Sequence, residues 1–142
     1  MLGGGNPVAG SNPAGIGTTL NYVRTKDRNY AYGHSGLVDV DNNETVLVQF
    51  TTGSEIFEAT IQNFYAGVST GSQPNPNVQF QTKLNSQVIT SYVTFDSATD
   101  NAVKNAIHVI IPPFTKVSLV AINAETSATI QLAAIIGGRV YA

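Results

Sequence analysis

The sequence predicts an all-β fold: an eight-stranded antiparallel jelly-roll sandwich over residues 30–142, preceded by an extended N-terminal arm over residues 1–29. Three observations carry this reading. From Tyr30 onward apolar and polar residues alternate in run after run, each bounded by Asn, Gly, Ser or Pro, the pattern of half-buried strands. No stretch has the spacing of an amphipathic helix of about 11 residues. The first 20 residues hold six of the 13 glycines and two of the six prolines, and neither residue supports helix or strand there. At 142 residues and 42% apolar content the chain suits one domain with one core.

The arm carries a short repeat, Asn6-Pro7-Val8-Ala9-Gly10 followed by Asn12-Pro13-Ala14-Gly15. A chain of this composition becomes ordered by binding something else, so Asn6, Pro7, Asn12 and Pro13 are expected contacts to a neighbouring subunit. At the junction, Tyr22, Tyr30 and Tyr32 lie among Arg24, Lys26 and Arg28. Tyr and Arg are enriched at protein interfaces, so Tyr22, Arg24, Tyr30 and Tyr32 are read as an intersubunit contact. Stacking on a sugar or on single-stranded nucleic acid is the alternative.

The strands follow in order. Tyr30 to Asp41 ends at Asn42-Asn43, and Thr45 to Thr52 places Val46, Val48 and Phe50 on one face before Gly53 breaks it. Glu55 to Ala66 sets Phe57, Ala59 and Ile61 against Glu58, Thr60 and Gln62, and a long loop to Asn77 holds Pro74 and Pro76. Val78 to Leu84 and Gln87 to Phe95 flank Asn85-Ser86, a two-residue hairpin turn. In the second of these, Ile89, Ser91, Val93 and Phe95 share a face. After a polar loop from Asp96 to Asn105, Ala106 to Ile111 is stopped by Pro112-Pro113, which cannot donate to a ladder. Thr115 to Asn123 and Ser127 to Ala142 complete the set, with Gly137-Gly138 suggesting a bulge or bend. Two sheets of four such strands, joined by one tight hairpin and longer loops, make a jelly roll. The immunoglobulin-like sandwich is the rival, but a chain without tryptophan lacks the ring often buried there.

Several function classes fall away. Seven basic against nine acidic residues, with no basic block, give a net charge of −2 and no footprint for nucleic acid. No cysteine is present, which removes disulfides, thiolate metal sites and cysteine nucleophiles. No apolar stretch reaches the ~18 residues of a membrane helix. The start of the chain lacks the basic and apolar regions of a secretory signal, so the protein is expected to act in the compartment where it is made or to leave by cell lysis.

The candidate chemistries are sparse. His34 and His108 fall on different strands, and His108 is expected on an outer face. No nucleophile elbow of the Gly-x-Ser-x-Gly type occurs, so a Ser, His, Asp triad is not supported. Asp39 to Glu44 is oxygen-rich, but the sixth and twelfth positions of a calcium loop hold Glu44 and Phe50 instead of Gly and Glu. The chain is therefore read as no enzyme, with no cofactor, metal or small-molecule substrate.

Two sets of residues resemble known proteins. Ile110-Ile111-Pro112-Pro113-Phe114-Thr115-Lys116-Val117 is similar to the penultimate strand pair of viral single jelly rolls, where a proline and small-residue turn often precedes the next strand. Gly4-Gly5-Asn6-Pro7, Leu20-Asn21-Tyr22 and the ending Gly138-Arg139-Val140-Tyr141-Ala142 resemble small virion proteins of aquatic tailed phages. The resemblance implies a capsid cement or decoration subunit, often trimeric, on the capsid surface. Its partners would then be the major capsid protein and further copies of itself, with no membrane and no nucleic acid involved. A receptor- or carbohydrate-binding module at a vertex, spike or tail fibre is the alternative, its site in the loops 67–77 and 96–105. A cupin-like enzyme would need a histidine cluster.

Only 11% of residues are charged, against about 25% in typical proteins. After Glu125 the one charged residue is Arg139. The contact surface is accordingly expected to join the arm to this charge-poor last strand, with Arg139 and Tyr141 as its polar points.

Overall fold

The protein is described by a computed structural model over residues 22–25, 29–71, 77–95, 106–124 and 128–141. These form ten strands: β1 (Tyr22–Thr25), β2 (Tyr30–His34), β3 (Val38–Val40), β4 (Thr45–Thr51), β5 (Ile56–Gly71), β6 (Asn77–Leu84), β7 (Gln87–Phe95), β8 (Ile107–Ile111), β9 (Lys116–Asn123) and β10 (Ala128–Tyr141). The described residues contain no helix. With β2 and β3 counted as one interrupted strand, the pairings are those of one long antiparallel hairpin. β2 and β3 pair with β10, β4 with β9, β5 with β8, and β6 with β7. Rolling up that hairpin adds the pairs β10 to β5 and β9 to β6. One sheet is then ordered β1-β2-β10-β5-β8, with β3 also on β10, and the other β4-β9-β6-β7. The fold is a jelly-roll sandwich.

The core lies between the sheets. Phe57, Ile61, Ile111, Ile130, Leu132 and Ile136 come from the first sheet and Leu47, Val48, Phe50, Val78 and Leu119 from the second, all at 2% exposure or less. Phe50 and Phe57 meet across the sandwich with ring centroids 6.0 Å apart at 59°, a tilted pair suited to the ring quadrupoles. Burying side chains of this size contributes about 1.5–3 kcal/mol each.

The predicted alternation holds through Phe57, Ala59 and Ile61 and extends to Asn63, all buried. At Asn85-Ser86 both residues have positive φ, 49° and 69°, as a two-residue type I′ turn requires. In β7, Ile89, Ser91 and Val93 do share an orientation, but the strand is a sheet edge and they are exposed.

Five details differ from the expectation. The first predicted strand divides at Ser35-Gly36, where Gly36 takes φ +69° and Ser35 bonds to Ala134 through both its amide and its hydroxyl. β1 adds an edge strand ahead of the eight, giving the first sheet six strands. β4 does not alternate cleanly, because a bulge between Val46 and Val48 turns Leu47 and Val48 both inward and leaves Val46 exposed. β5 continues to Gly71 because β10 continues beside it, with bulges at Thr129/Ile130 and Gln131/Leu132 absorbing the extra residues. Gly137 and Gly138 are not a bulge; they keep regular register with both β2 and β5.

The turn after β8 is latched to the end of β4. The Thr52 hydroxyl donates to the Pro112 carbonyl at 2.8 Å and accepts from the Thr115 amide at 2.8 Å, while the Phe114 amide donates to the Gly53 carbonyl at 2.8 Å. Thr52 and Thr115 are buried, so the bond between them is shielded from water. The latch fixes the direction in which Phe114 projects.

Candidate binding surface

The outer face of the six-stranded sheet is where chemistry-bearing side chains converge. β2, β10, β5 and β8 lie side by side, so residues of matching register form rows across the sheet. The first row is Tyr30, Arg139, Glu58 and Ile110; the second is Tyr32, Gly137, Thr60 and His108. Their chain neighbours Ala31, Ala59, Ile61, Ile136 and Val140 are buried in the core, which turns both rows outward.

The rows border a shallow open groove of about 670 Å³. Tyr30 forms one wall, at 45% exposure, and Ile110 the other, at 68%. The floor is backbone at Gly137 and Gly138. Thr60 Oγ1 and His108 Nδ1 are 3.0 Å apart, a hydrogen bond across β5 and β8 that holds the imidazole in place. The Tyr141 hydroxyl donates to Glu58 Oε1 at 3.4 Å. The Arg139 guanidinium is held above its usual range, chiefly by the neighbouring Tyr141 side chain, with the nearby Glu58 carboxylate adding a smaller effect. Beside this network Tyr32 stacks on His34, with ring centroids 6.2 Å apart.

Of the expected contact residues, Tyr30, Tyr32, Arg139 and Tyr141 are brought onto this one face, and Tyr30 is the register partner of Arg139. Tyr22 and Arg24 lie on the adjacent β1, opposite Gly33 and Ala31, with side chains outside the described residues. Asn6, Pro7, Asn12 and Pro13 lie outside the described residues, as do 72–76 and 96–105 of the two loops considered for ligand binding. His108 is exposed, as expected for an outer position. Sequence reading assigned no role to Glu58, Thr60 or His108 in this cluster. Period 2 places each outward, but their assembly with Tyr30 and Arg139 needs the pairing of β5 with both β8 and β10.

A second feature is the number of large apolar side chains exposed to solvent. Phe114 is 73% exposed, Ile110 68% and Leu37 60%. Phe114 also has φ +53°, the left-handed region that bulky residues rarely occupy. Among the described residues no group of three or more His, Cys, Asp or Glu comes together as a metal site. Among the described residues there is no helix long and apolar enough to cross a membrane.

No protein-family model matches the chain, and no curated protein does. Among solved structures it is similar to a protein from the study "Bacillus endospore appendages form a novel family of disulfide-linked pili", with 11% identity, a TM-score of 0.41, and coverage of 86% of this chain and 98% of that one. It is also similar to a family 35 carbohydrate binding module from Clostridium thermocellum, with 12% identity, a TM-score of 0.36, and coverage of 84% of each chain.

Proposed function

We propose that the protein is a non-catalytic virion structural subunit, a capsid cement or decoration protein. Its jelly roll is the rigid body, and its N-terminal segment contacts neighbouring copies or the major capsid protein. The assembly proposed is a homotrimer on the capsid surface.

Phe114 is the observation that supports this reading most. An aromatic ring left 73% exposed in a left-handed backbone costs the isolated subunit stability and returns nothing to its core. The ring gains its apolar burial only when a neighbour covers it. The latch through Thr52 holds the projecting turn rigid, so a partner need not order it on binding. A charge content of 11% fits the same picture, since surface hidden against neighbours needs few charges.

Deletion of residues 1–20 tests the arm. The truncated chain is expected to fold, with an unchanged circular dichroism spectrum, but to be lost from purified particles and to leave them less resistant to heat. Normal incorporation and normal heat resistance would remove the arm from the account.

A further inference from the structure

We propose that the glycine-floored groove on the outer face of the six-stranded sheet binds a neutral pyranose residue of a glycan. The inference stands apart from the structural role above, which requires no ligand.

Shape is the first argument. Position 137 faces outward between Tyr32 and Thr60. A Cβ built there would meet Tyr32 Cβ at 3.4 Å and the Tyr30 hydroxyl at 3.8 Å, which is ordinary contact. The strand could therefore carry an alanine at 137, where glycine weakens a strand interior. Glycine there leaves bare backbone as the groove's floor and makes room for the Tyr30 side chain, whose hydroxyl leans over it. The volume, about 670 Å³, lies within the ~300–1,000 Å³ of small-ligand sites.

Chemistry is the second. A pyranose presents an apolar C–H face ringed by hydroxyls that both donate and accept. The half-exposed Tyr30 ring and Ile110 offer the apolar contacts. Glu58 is an acceptor and Arg139 a donor, and they are register partners, so both reach the same part of the groove. His108 is anchored through Nδ1 by Thr60, leaving Nε2 to bond a ligand hydroxyl. One carboxylate beside one guanidinium leaves the site nearly neutral, which disfavours phosphate, sulfate or another anion against an uncharged ligand.

The test is an amide chemical-shift titration of the full-length chain with methyl glycosides of glucose, galactose, mannose and N-acetylglucosamine, and with inorganic phosphate. At least one glycoside is expected to give saturable shifts confined to residues 58–60, 108–110 and 137–139, and phosphate none there. Gly137→Val fills the floor and should abolish binding, while Tyr30→Ala should weaken it about tenfold or more, as loss of a central aromatic anchor does. His108→Ala, at an exposed position, gives a second variant with no folding risk, and it should weaken binding as well. The proposal is overturned if no glycoside gives saturable shifts, if the shifts map elsewhere, if phosphate alone binds the groove, or if Gly137→Val and His108→Ala both bind like the wild type. A glycan array then separates recognition of a free sugar from that of a residue within a surface polysaccharide.

Discussion

Gly138→Ala is expected to lower the melting temperature by about 10 °C or more. A Cβ at 138 would run into the Glu58 carbonyl oxygen and stand 2.8 Å from its carbon and 2.9 Å from Ala59 Cα. All three are backbone atoms of β5, so no side chain can swing aside and the β5–β10 ladder itself must open. That ladder is the longest in the fold, pairing 14 residues of β10 with β5, and it joins β2 and β3 to the rest of the sheet. Forced overpacking costs about 1–3 kcal/mol and sometimes more. The upper value, at roughly 3–4 °C per kcal/mol for a domain of this size, gives the stated shift. Gly137→Ala is the control, since its Cβ meets only ordinary contacts and should leave the melting temperature within a few degrees. Thermal unfolding followed by circular dichroism decides it: equal melting temperatures for the two alanine variants would contradict the close approach at Glu58.

Phe114→Asn is expected to separate stability from assembly. Left-handed backbone costs an ordinary L-residue about 1–2 kcal/mol, and asparagine tolerates it far better. Because the Phe114 ring is 73% exposed, its removal takes little from the core of the isolated subunit. The variant should therefore be as stable as the wild type or more stable by about 1 kcal/mol. Self-association or particle binding should weaken by about 30-fold or more, the loss of about 2 kcal/mol that marks a central aromatic contact. Sedimentation of the variant and its binding to particles that lack the protein would measure this. A variant that is less stable but assembles normally would make Phe114 a folding residue.

How far the fold could be read from the sequence varied with the range of the interaction. Strands whose two faces see core and solvent declared themselves: Phe57, Ala59 and Ile61 in β5, and Ile130, Leu132, Ala134 and Ile136 in β10, alternate as burial demands. Asn85-Ser86 was legible because a two-residue turn with positive φ at both positions selects a few residue types. Features created by a partner strand were not legible. The bulge that turns Leu47 and Val48 both inward depends on how β4 meets β9. Gly138 reads in sequence as a bend, and only the backbone of Glu58, distant in the chain, explains why no side chain fits.

The binding surface divides in the same way. Tyr30, Tyr32, Arg139 and Tyr141 stood out as aromatic or isolated charged residues in a charge-poor chain. Glu58, Thr60 and His108 each look like ordinary outer-face residues of a strand. Their meaning comes from the winding of the hairpin, which sets β5 between β8 and β10.

Copy number in virions is the most direct measurement of the proposed structural role. Virions purified from the host that produces this chain, after removal of loosely bound protein, would be quantified by mass spectrometry against the major capsid protein. The structural role predicts a fixed ratio consistent with occupancy of symmetry-related capsid positions, unchanged by further washing. Absence of the protein from washed particles, or a trace amount in no fixed ratio, would contradict it.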